Sequence, residues 1–548
     1  MSLIATLARL QALDAGRAQP AATVLHRHLG DRPMVLIPLA AAGGGPDAPL
    51  AAMFGTDREE PRLLTIPQPL DRDARSAFLA ELADALLPFL ESAADDVEEV
   101  PGKEKDPETG EQRETVRELC RDAPQLIVPG PAAVRFLGMI GRATRFRRTE
   151  ADPDPGPYPA PPRVPLLGRW LTHYRERAEV PGSSLLLPMT QLLSRHWATG
   201  QSALEDEHLG ALLAWIDPPE GRTGAEAALH AETARDSWGL LLCPPAGPAT
   251  DPGFDQRALA PAVARYDAAR EVGDARAAAA RAAEIAELLE SRVLRPTWDA
   301  VWRGLDLLRT LPPAAHLPER WESDRWSYTA HRDRIRAGEA PQPIRDDAVG
   351  AARRLAQRER DQSRLEIQEA LDDPLVMAAR RLAGEALVGE VTAVEQAWTT
   401  GRAPKPRPLV TVRTSDRPHA EPGTRAYRPR PAEPDEAGNP GRDRAQKAEV
   451  VAADHAAGEY TLRLLDGMGR RRDPEPGSVP EPGEQVCFTL FELSVRQSAP
   501  LPEPEDTPWT HGGPPVPPAA APEAVPAAPI PAAIPAPAAE PAEEATTR

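Results

Sequence analysis

The chain has 548 residues, a formal net charge of −19 and a hydrophobic share of 41%. That length leaves room for about three domains, and the apolar share is sufficient for buried cores. The acidic balance excludes a protein that coats nucleic acid over its whole surface, so any binding of this kind has to come from a local basic patch.

The three cysteines, Cys120, Cys243 and Cys487, lie far apart in the chain. They form no CxxC pair and no even-numbered framework, which predicts a reducing compartment. The chain does not begin with the basic stretch and apolar core of a signal peptide. The longest apolar run, residues 34–42, contains Pro38 and is far shorter than the ~20 residues that span a bilayer. The sequence therefore predicts a cytoplasmic protein with no membrane association.

Residues 1–150 are predicted to form an α/β domain, because segments with helical and strand-like spacing alternate there. Residues 93–118 are strongly charged and are predicted to be solvated. The predicted helices are residues 3–13, 71–90 and 132–146, and the predicted strands are residues 34–39, 50–54, 62–66 and 125–128.

This order of elements resembles the core of the PD-(D/E)XK nuclease family. That family places an acid on the second strand and a Glu-x-Lys motif on the third. Here Asp57 follows the second strand, the third reads Leu63-Leu-Thr-Ile-Pro, and no lysine occurs before Lys103. Metal-assisted hydrolysis needs carboxylates for the metal and a base or cation for the water. A phosphodiesterase or nuclease activity of residues 1–150 is therefore kept as the alternative function.

Residues 151–165 are predicted to be a proline-rich linker, and residues 166–386 a predominantly helical domain. Pro296 should interrupt the longest helical run, because its ring removes a backbone hydrogen bond. Trp298, Val301 and Leu305 share one apolar face, which indicates a helical core. The predicted helices are residues 166–179, 185–198, 203–216, 257–270, 275–311 and 346–382.

Residues 387–496 change to strand-like spacing and are predicted to form a small, closed, five-stranded β-barrel of the OB type. Tyr460, Leu462 and Leu464 alternate with polar residues, as in a half-buried strand. The five predicted strands are residues 387–394, 409–413, 448–453, 459–465 and 485–491. Residues 497–548 are rich in Pro and Ala and are predicted to be a disordered tail. The predicted fold class is thus a multidomain α+β protein.

Motifs with a known chemistry are missing from the sequence. It contains no GxxxxGK[ST] loop, no HExxH and no GxSxG. The triplet His331-Arg-Asp333 matches a kinase catalytic loop only in part, since Gly338 stands where that loop has Asn. The sequence accordingly predicts no cofactor, no metal and no catalytic residue, and it favours a protein that is not an enzyme.

Positive charge is concentrated in the barrel. Residues 402–447 contain eleven Lys or Arg against six Asp or Glu, although the chain as a whole is acidic. Small OB-type barrels bind single strands with a cationic groove and stacking aromatics. Tyr427, Trp398 and Tyr460 are the candidate aromatic side chains. The predicted nucleic-acid-binding residues are Lys405, Arg407, Arg413, Arg425, Tyr427, Arg428, Arg430, Arg470, Arg471 and Arg472.

The leading functional prediction is a non-enzymatic accessory or scaffold protein. Its barrel and tail would contact a partner protein or, as an open alternative, single-stranded nucleic acid. A purely structural scaffold is the third interpretation, because basic loops are also common on solvated surfaces.

Overall fold

The structure is a computed structural model of the chain. It describes residues 3–41, 48–105, 112–346, 348–400, 404–430, 444–469 and 471–494. The predicted tail, residues 497–548, lies outside the described residues. The fold is mixed α+β and includes a closed β-barrel of six strands near the carboxyl terminus.

The helices lie mainly between residues 131 and 382. No helix in the described ranges has both the length and the apolar character needed to cross a membrane. The helices are α1 (Leu3–Ala15), α2 (Arg72–Leu90), α3 (Pro131–Thr144), α4 (Val164–Arg177), α5 (Met189–His196), α6 (Leu209–Ile216), α7 (Gly224–Thr233), α8 (Pro252–Phe254), α9 (Ala260–Glu271), α10 (Ala275–Leu289), α11 (Arg295–Leu308), α12 (Leu317–Arg336), α13 (Ala348–Asp372) and α14 (Pro374–Leu382).

The strands form a five-stranded sheet, two small two-stranded sheets and the barrel. They are β1 (Gln19–Pro20), β2 (Met34–Ala40), β3 (Pro49–Gly55), β4 (Arg62–Thr65), β5 (Val97–Lys105), β6 (Gln112–Cys120), β7 (Leu126–Val128), β8 (Leu186–Pro188), β9 (Trp197–Ala198), β10 (Ala386–Glu395), β11 (Leu409–Arg413), β12 (Arg425–Arg430), β13 (Arg444–Asp454), β14 (Glu459–Leu464) and β15 (Gln485–Thr489).

The five-stranded sheet has the order β4-β3-β2-β7-β8. Strands β2, β7 and β8 are parallel, whereas β3 is antiparallel to both of its neighbours. The four strands predicted between residues 34 and 128 are confirmed as β2, β3, β4 and β7. The fifth, β8, comes from a segment predicted to be helical throughout. Its three residues are too few for a strand pattern to show in the sequence.

Both faces of this sheet are buried, so strand β2 is apolar at almost every position. Met34 and Leu36 face a core formed with α2, α3 and α4. Val35 and Ile37 face a second core, which includes residues of α5, α6 and α11. Residues from 1–150 and from 166–386 thus share one sheet and both cores, although the sequence predicts a domain boundary between them.

We expect a fragment of residues 1–150 to lack cooperative unfolding. It would leave the sheet face of Val35 and Ile37 without Trp298, Val301 and Leu305, which cover that face in the whole chain. Each large apolar side chain left exposed costs about 1.5–3 kcal/mol. Thermal unfolding followed by circular dichroism is the measurement, with a fragment of residues 1–384 as the control. A cooperative transition of the shorter fragment would contradict this expectation.

The charged segment predicted to be solvated is largely a β-hairpin. Strands β5 and β6 pair antiparallel from Val97 opposite Cys120 to Lys105 opposite Gln112. Helix α12 holds the base of the hairpin: the Arg325 side chain donates to the Cys120 carbonyl at 2.8 Å, and the Cys120 N–H donates to the Thr329 hydroxyl at 3.0 Å. The sequence pattern missed these strands because both carry acids and bases in succession instead of alternating apolar residues.

Each of the helices predicted at residues 275–311 and 346–382 contains a proline. The break predicted at Pro296 does not occur, because a turn of π-helix, Glu290–Leu294, joins α10 to α11 without a gap in helical structure. A break that was not predicted comes before Pro374. It puts Asp373 in an extended conformation, the usual preference of a residue that precedes proline.

The barrel is closed in the order β10-β11-β14-β13-β12-β15. Strands β11, β14, β13 and β12 form a Greek key, because three consecutive hairpin-connected strands lie beside an earlier one. Four of the five predicted strands are close to the observed bounds, and β13 begins earlier than predicted. The sixth strand, β12, was missed: its sequence, Arg-Ala-Tyr-Arg-Pro-Arg, shows no apolar alternation. The prediction of five strands is therefore wrong.

Candidate functional site

The predicted nucleic-acid-binding residues fall into three groups in the barrel. Two are buried, two lie on the side wall, and five lie at one end. The remaining residue, Arg470, lies outside the described residues.

Tyr427 and Arg428 are buried in strand β12, with exposed fractions of 4% and 8%. The Arg428 guanidinium donates to the amide oxygen of Gln446 at 3.2 Å and to a carboxylate oxygen of Glu484 at 3.1 Å. Burial lowers the pKa of Arg428, while the nearby Glu484 carboxylate opposes that shift. Neither side chain is exposed enough to contact a nucleic acid, which corrects the expectation for these two residues.

Arg413 and Arg425 lie on the outer wall, where cross-strand neighbours carry the opposite charge. Arg413 pairs with Glu459 in register, and its guanidinium donates to that carboxylate at 2.7 Å. Arg425 is opposite Glu449, and Glu449 is opposite Arg463. Alternating charges across a sheet are typical of a solvated face, and each pair contributes roughly 0.2–1 kcal/mol. The side wall is therefore not a continuous cationic groove.

The other five residues, Lys405, Arg407, Arg430, Arg471 and Arg472, lie at one end of the barrel. This end is made by the segments that connect β10 to β11 and β14 to β15, and by the last residues of β12. Because adjacent strands are antiparallel, these segments emerge on the same side. The topology thus gathers residues that are up to 67 positions apart in the chain.

Trp398 connects two of these segments. Its indole N–H donates to the Arg472 carbonyl at 3.3 Å, and its backbone bridges to Pro406. Within the segment that connects β10 to β11, the Thr399 N–H donates to the Lys405 carbonyl at 2.9 Å. Trp398 is nevertheless 42% exposed. We call Trp398, Lys405, Arg407, Arg471 and Arg472 the barrel-end patch.

The cations of the patch are available at the surface. Lys405, Arg471 and Arg472 are exposed, and Arg407 is half-buried with one guanidinium nitrogen donating to the Pro406 carbonyl at 2.8 Å. Arg430 lies beside the patch and donates to the Gly467 carbonyl at 2.8 Å.

Two carboxylates of the same barrel end are engaged elsewhere. Asp466 accepts the Lys447 N–H at 2.7 Å, and Glu484 accepts from the buried Arg428. Asp473, which is exposed, is the acid next to the arginines in the chain. Glu395 and Glu475 are further exposed acids of this barrel end. The four cations of the patch are the groups that would attract an anion, and Trp398 offers it an aromatic surface.

The position corresponding to a nuclease acid is an ordinary turn. Asp57 is exposed, and its carboxylate accepts the Glu59 N–H at 2.9 Å. It follows β3, an antiparallel strand, so it lies at the edge of the sheet opposite the carboxyl ends of β2, β7 and β8. Within the described part of the chain, no group of three or more His, Cys, Asp or Glu is arranged to hold a metal ion.

The chain was compared with models of protein families, with curated proteins and with solved structures. None of the three comparisons gives a match. The barrel-end patch is thus described by its geometry and charge alone.

Proposed function

We propose that this chain is a non-enzymatic accessory protein and that the barrel-end patch binds single-stranded nucleic acid. The observation that carries the proposal is the exposed indole of Trp398 among four basic side chains of two adjoining loops. Proteins that bind single strands without sequence preference combine these two features, cations for the phosphates and an aromatic ring for the bases.

The acidic net charge does not oppose such binding. At physiological salt, charges separated by more than about 8 Å are largely screened, so distant carboxylates have little effect on the patch. The barrel is closed like an OB barrel but has six strands, and its binding surface is an end and not a side wall. The proposal therefore concerns the chemistry of the patch and does not require an OB fold.

We expect the full-length protein to bind a single-stranded oligothymidylate of roughly 16 nucleotides with micromolar affinity, and to bind it less tightly as salt rises. Replacing Trp398 with Ala should weaken binding by about 1–3 kcal/mol if a base stacks on the indole. Replacing Arg471 and Arg472 together with Ala should reduce the slope of log affinity against log salt by about 1.4, because each phosphate contact on a single strand contributes about 0.7. Fluorescence anisotropy of a labelled oligonucleotide measures both quantities.

The matched control is Arg413→Ala, which removes an exposed arginine whose guanidinium is already paired with Glu459. This variant should bind like the unaltered protein. No binding at low salt by a folded protein would contradict the proposal. It would leave a protein partner as the interpretation of the patch.

A further inference from the structure

We propose a second ligand site, in a cleft beside the five-stranded sheet, for a small phosphorylated molecule that carries a planar ring, such as a nucleoside diphosphate. The cleft lies between the first turns of α2, the carboxyl end of α3 and residues 157–161. Its volume is about 390 Å³. Sites for small molecules and cofactors commonly have volumes of about 300–1,000 Å³.

The charged residues that line the cleft are three arginines and one acid: Arg72, Arg75, Arg147 and Asp73. Asp73 is already paired with Arg72, at 3.5 Å, on the exposed rim. The cleft therefore has an excess of positive charge in a chain that is acidic overall. Arginine guanidinium groups suit phosphate oxygens because they can donate two parallel hydrogen bonds.

Among the three arginines of the cleft, Arg75 and Arg147 have the most N–H groups that are free to donate to a ligand. No described residue accepts a hydrogen bond from the Arg75 side chain, which is half-buried in the wall of the cleft. Arg147 uses one nitrogen to donate to the Tyr158 carbonyl at 2.8 Å. Arg75 and Ser76 also lie in the first turns of α2, where the helix dipole adds positive potential.

Tyr158 is the residue that would contact the planar ring of the ligand. The Arg72 guanidinium carbon lies 3.6 Å from the centre of the Tyr158 ring, so this arginine covers one face. The residue is still 56% exposed, although it lines the cleft. An aromatic ring held in this way can stack on the flat ring of a ligand, as it does with bases in nucleic-acid complexes.

Residues 157–161, which belong to the predicted proline-rich linker, form one wall of the cleft. Three prolines alternate with Tyr158 and Ala160 in this segment, and each restricts the backbone around it. The Ala160 N–H donates to the Arg148 carbonyl at 2.7 Å, and Ala160 is buried. The wall is thus preorganised, which reduces the entropy lost when a ligand binds.

The position of the cleft in the fold is consistent with a ligand site. Pro49 lines the cleft and pairs with Ala40, the last residue of β2. In open α/β sheets, ligands bind beyond the carboxyl ends of the strands, near the strand where the chain reverses its order across the sheet. The chain reverses its order at strand β2. Strands β3 and β4 follow it on one side of the sheet, and β7 and β8 are added later on the other side.

The test is a calorimetric titration of the full-length protein with ADP, with adenosine and pyrophosphate as the two partial ligands. We expect saturable binding of ADP at one site and at least tenfold weaker binding of each partial ligand. Arg75→Gln and Arg147→Gln should each weaken ADP binding by about 10- to 150-fold, as expected when a hydrogen bond to a charged group is lost. Tyr158→Ala should also weaken it, while Tyr158→Phe should keep it.

Arg142→Gln is the matched control, because Arg142 is an exposed arginine on α3 that does not line the cleft. All these residues lie at the surface or half-buried, and an unchanged melting temperature will show that each variant is folded. No saturable binding of ADP at millimolar concentration would overturn the proposal. So would equal binding by the Arg75 and Arg147 variants, or binding of pyrophosphate as tight as that of ADP. Trp398→Ala should leave ADP binding unchanged, which separates this site from the barrel-end patch.

Discussion

Replacing Asp373 with Ala is expected to lower the free energy of unfolding by about 3–5 kcal/mol, because it removes a buried carboxylate that accepts four hydrogen bonds and leaves the donors without a partner. The Asp373 side chain is fully buried. It accepts hydrogen bonds from the Thr23 N–H at 2.9 Å, the Thr23 hydroxyl at 3.0 Å, the His26 ring at 3.1 Å and the Leu375 N–H at 2.9 Å. Alanine would leave all of these groups without their acceptor.

The ionised form of Asp373 is strongly favoured in the fold. Burial alone would raise its pKa, but the hydrogen bonds from His26, Thr23 and Leu375 outweigh burial and lower the pKa to about 2. This carboxylate also caps α14 and ties the segment at residues 23–26 to the end of α13, 350 positions away in the case of Thr23. Its loss should therefore loosen two distant parts of the chain together.

Denaturant unfolding followed by tryptophan fluorescence measures the effect. Asp373→Asn is the informative second variant, because an amide keeps one acceptor oxygen and should cost less than alanine. Asp299→Ala is the control, since Asp299 is an exposed aspartate on α11 and its removal should change the free energy by less than about 0.5 kcal/mol. If Asp373→Ala lowered the free energy of unfolding by less than about 1 kcal/mol, the hydrogen bonds to this carboxylate would not be a major source of stability.

Asp373 also shows where the sequence stops being informative about the fold. The spacing of apolar residues predicted helical structure on both sides of it, and Pro374 could have signalled the break. The residues around Asp373 in the sequence do not indicate that its carboxylate accepts hydrogen bonds from Thr23 and His26. By contrast, the alternation of Tyr460, Leu462 and Leu464 predicted strand β14, and all three residues are buried in the barrel. Periodicity is a local signal, whereas the partners of a buried polar group come from the tertiary fold.

The burial of the arginines in the barrel also depends on tertiary contacts. Sequence composition located the basic barrel segments, but it could not distinguish an arginine at the surface from one inside the barrel. Arg428 is buried because Gln446, Ser478 and Glu484, 18 to 56 positions away, accept its hydrogen bonds. The exposed aromatic side chain of the patch is Trp398, one of the three aromatic candidates, whereas Tyr427 is buried. Strand register and loop packing decide which of these residues reach the surface.

Acidification from about pH 7.5 to about pH 4.5 is expected to lower the free energy of unfolding by several kcal/mol. Three buried histidines, His173, His196 and His331, are the main cause, and burial also lowers the pKa of His28 and of His208. Burial, reinforced by the nearby Arg334 and Arg169, lowers the pKa of His331 to about 3. Burial also lowers the pKa of His196 to about 4 and that of His173 well below its usual value. The rings of His173 and His331 are stacked with their centres 4.2 Å apart, so a charge on one would meet the other.

The free energy of unfolding decreases on acidification because the unfolded chain binds more protons than the folded chain. In the unfolded chain these imidazoles take up protons below about pH 6.5, while in the folded chain they stay neutral to a much lower pH. The unfolded state therefore binds more protons as the pH falls, and stability decreases from about pH 6.5 downward. His331 and His196 should each contribute roughly 2–3 kcal/mol of this loss at about pH 4.5. Asp373, with its lowered pKa, adds a further loss only below about pH 4.

Denaturant unfolding at a series of pH values gives the slope of the free energy against pH, and that slope is the readout. Replacing both His173 and His331 with Leu removes two of the three groups and should flatten the slope between about pH 6.5 and pH 4.5. A repacking cost from leucine would shift the whole curve without restoring the slope, so the comparison holds even for a less stable variant. His230→Gln, which changes an exposed histidine of α7, is the control and should leave the slope intact. If the double variant kept the full slope, the buried histidine pair would not be the origin of the acid sensitivity.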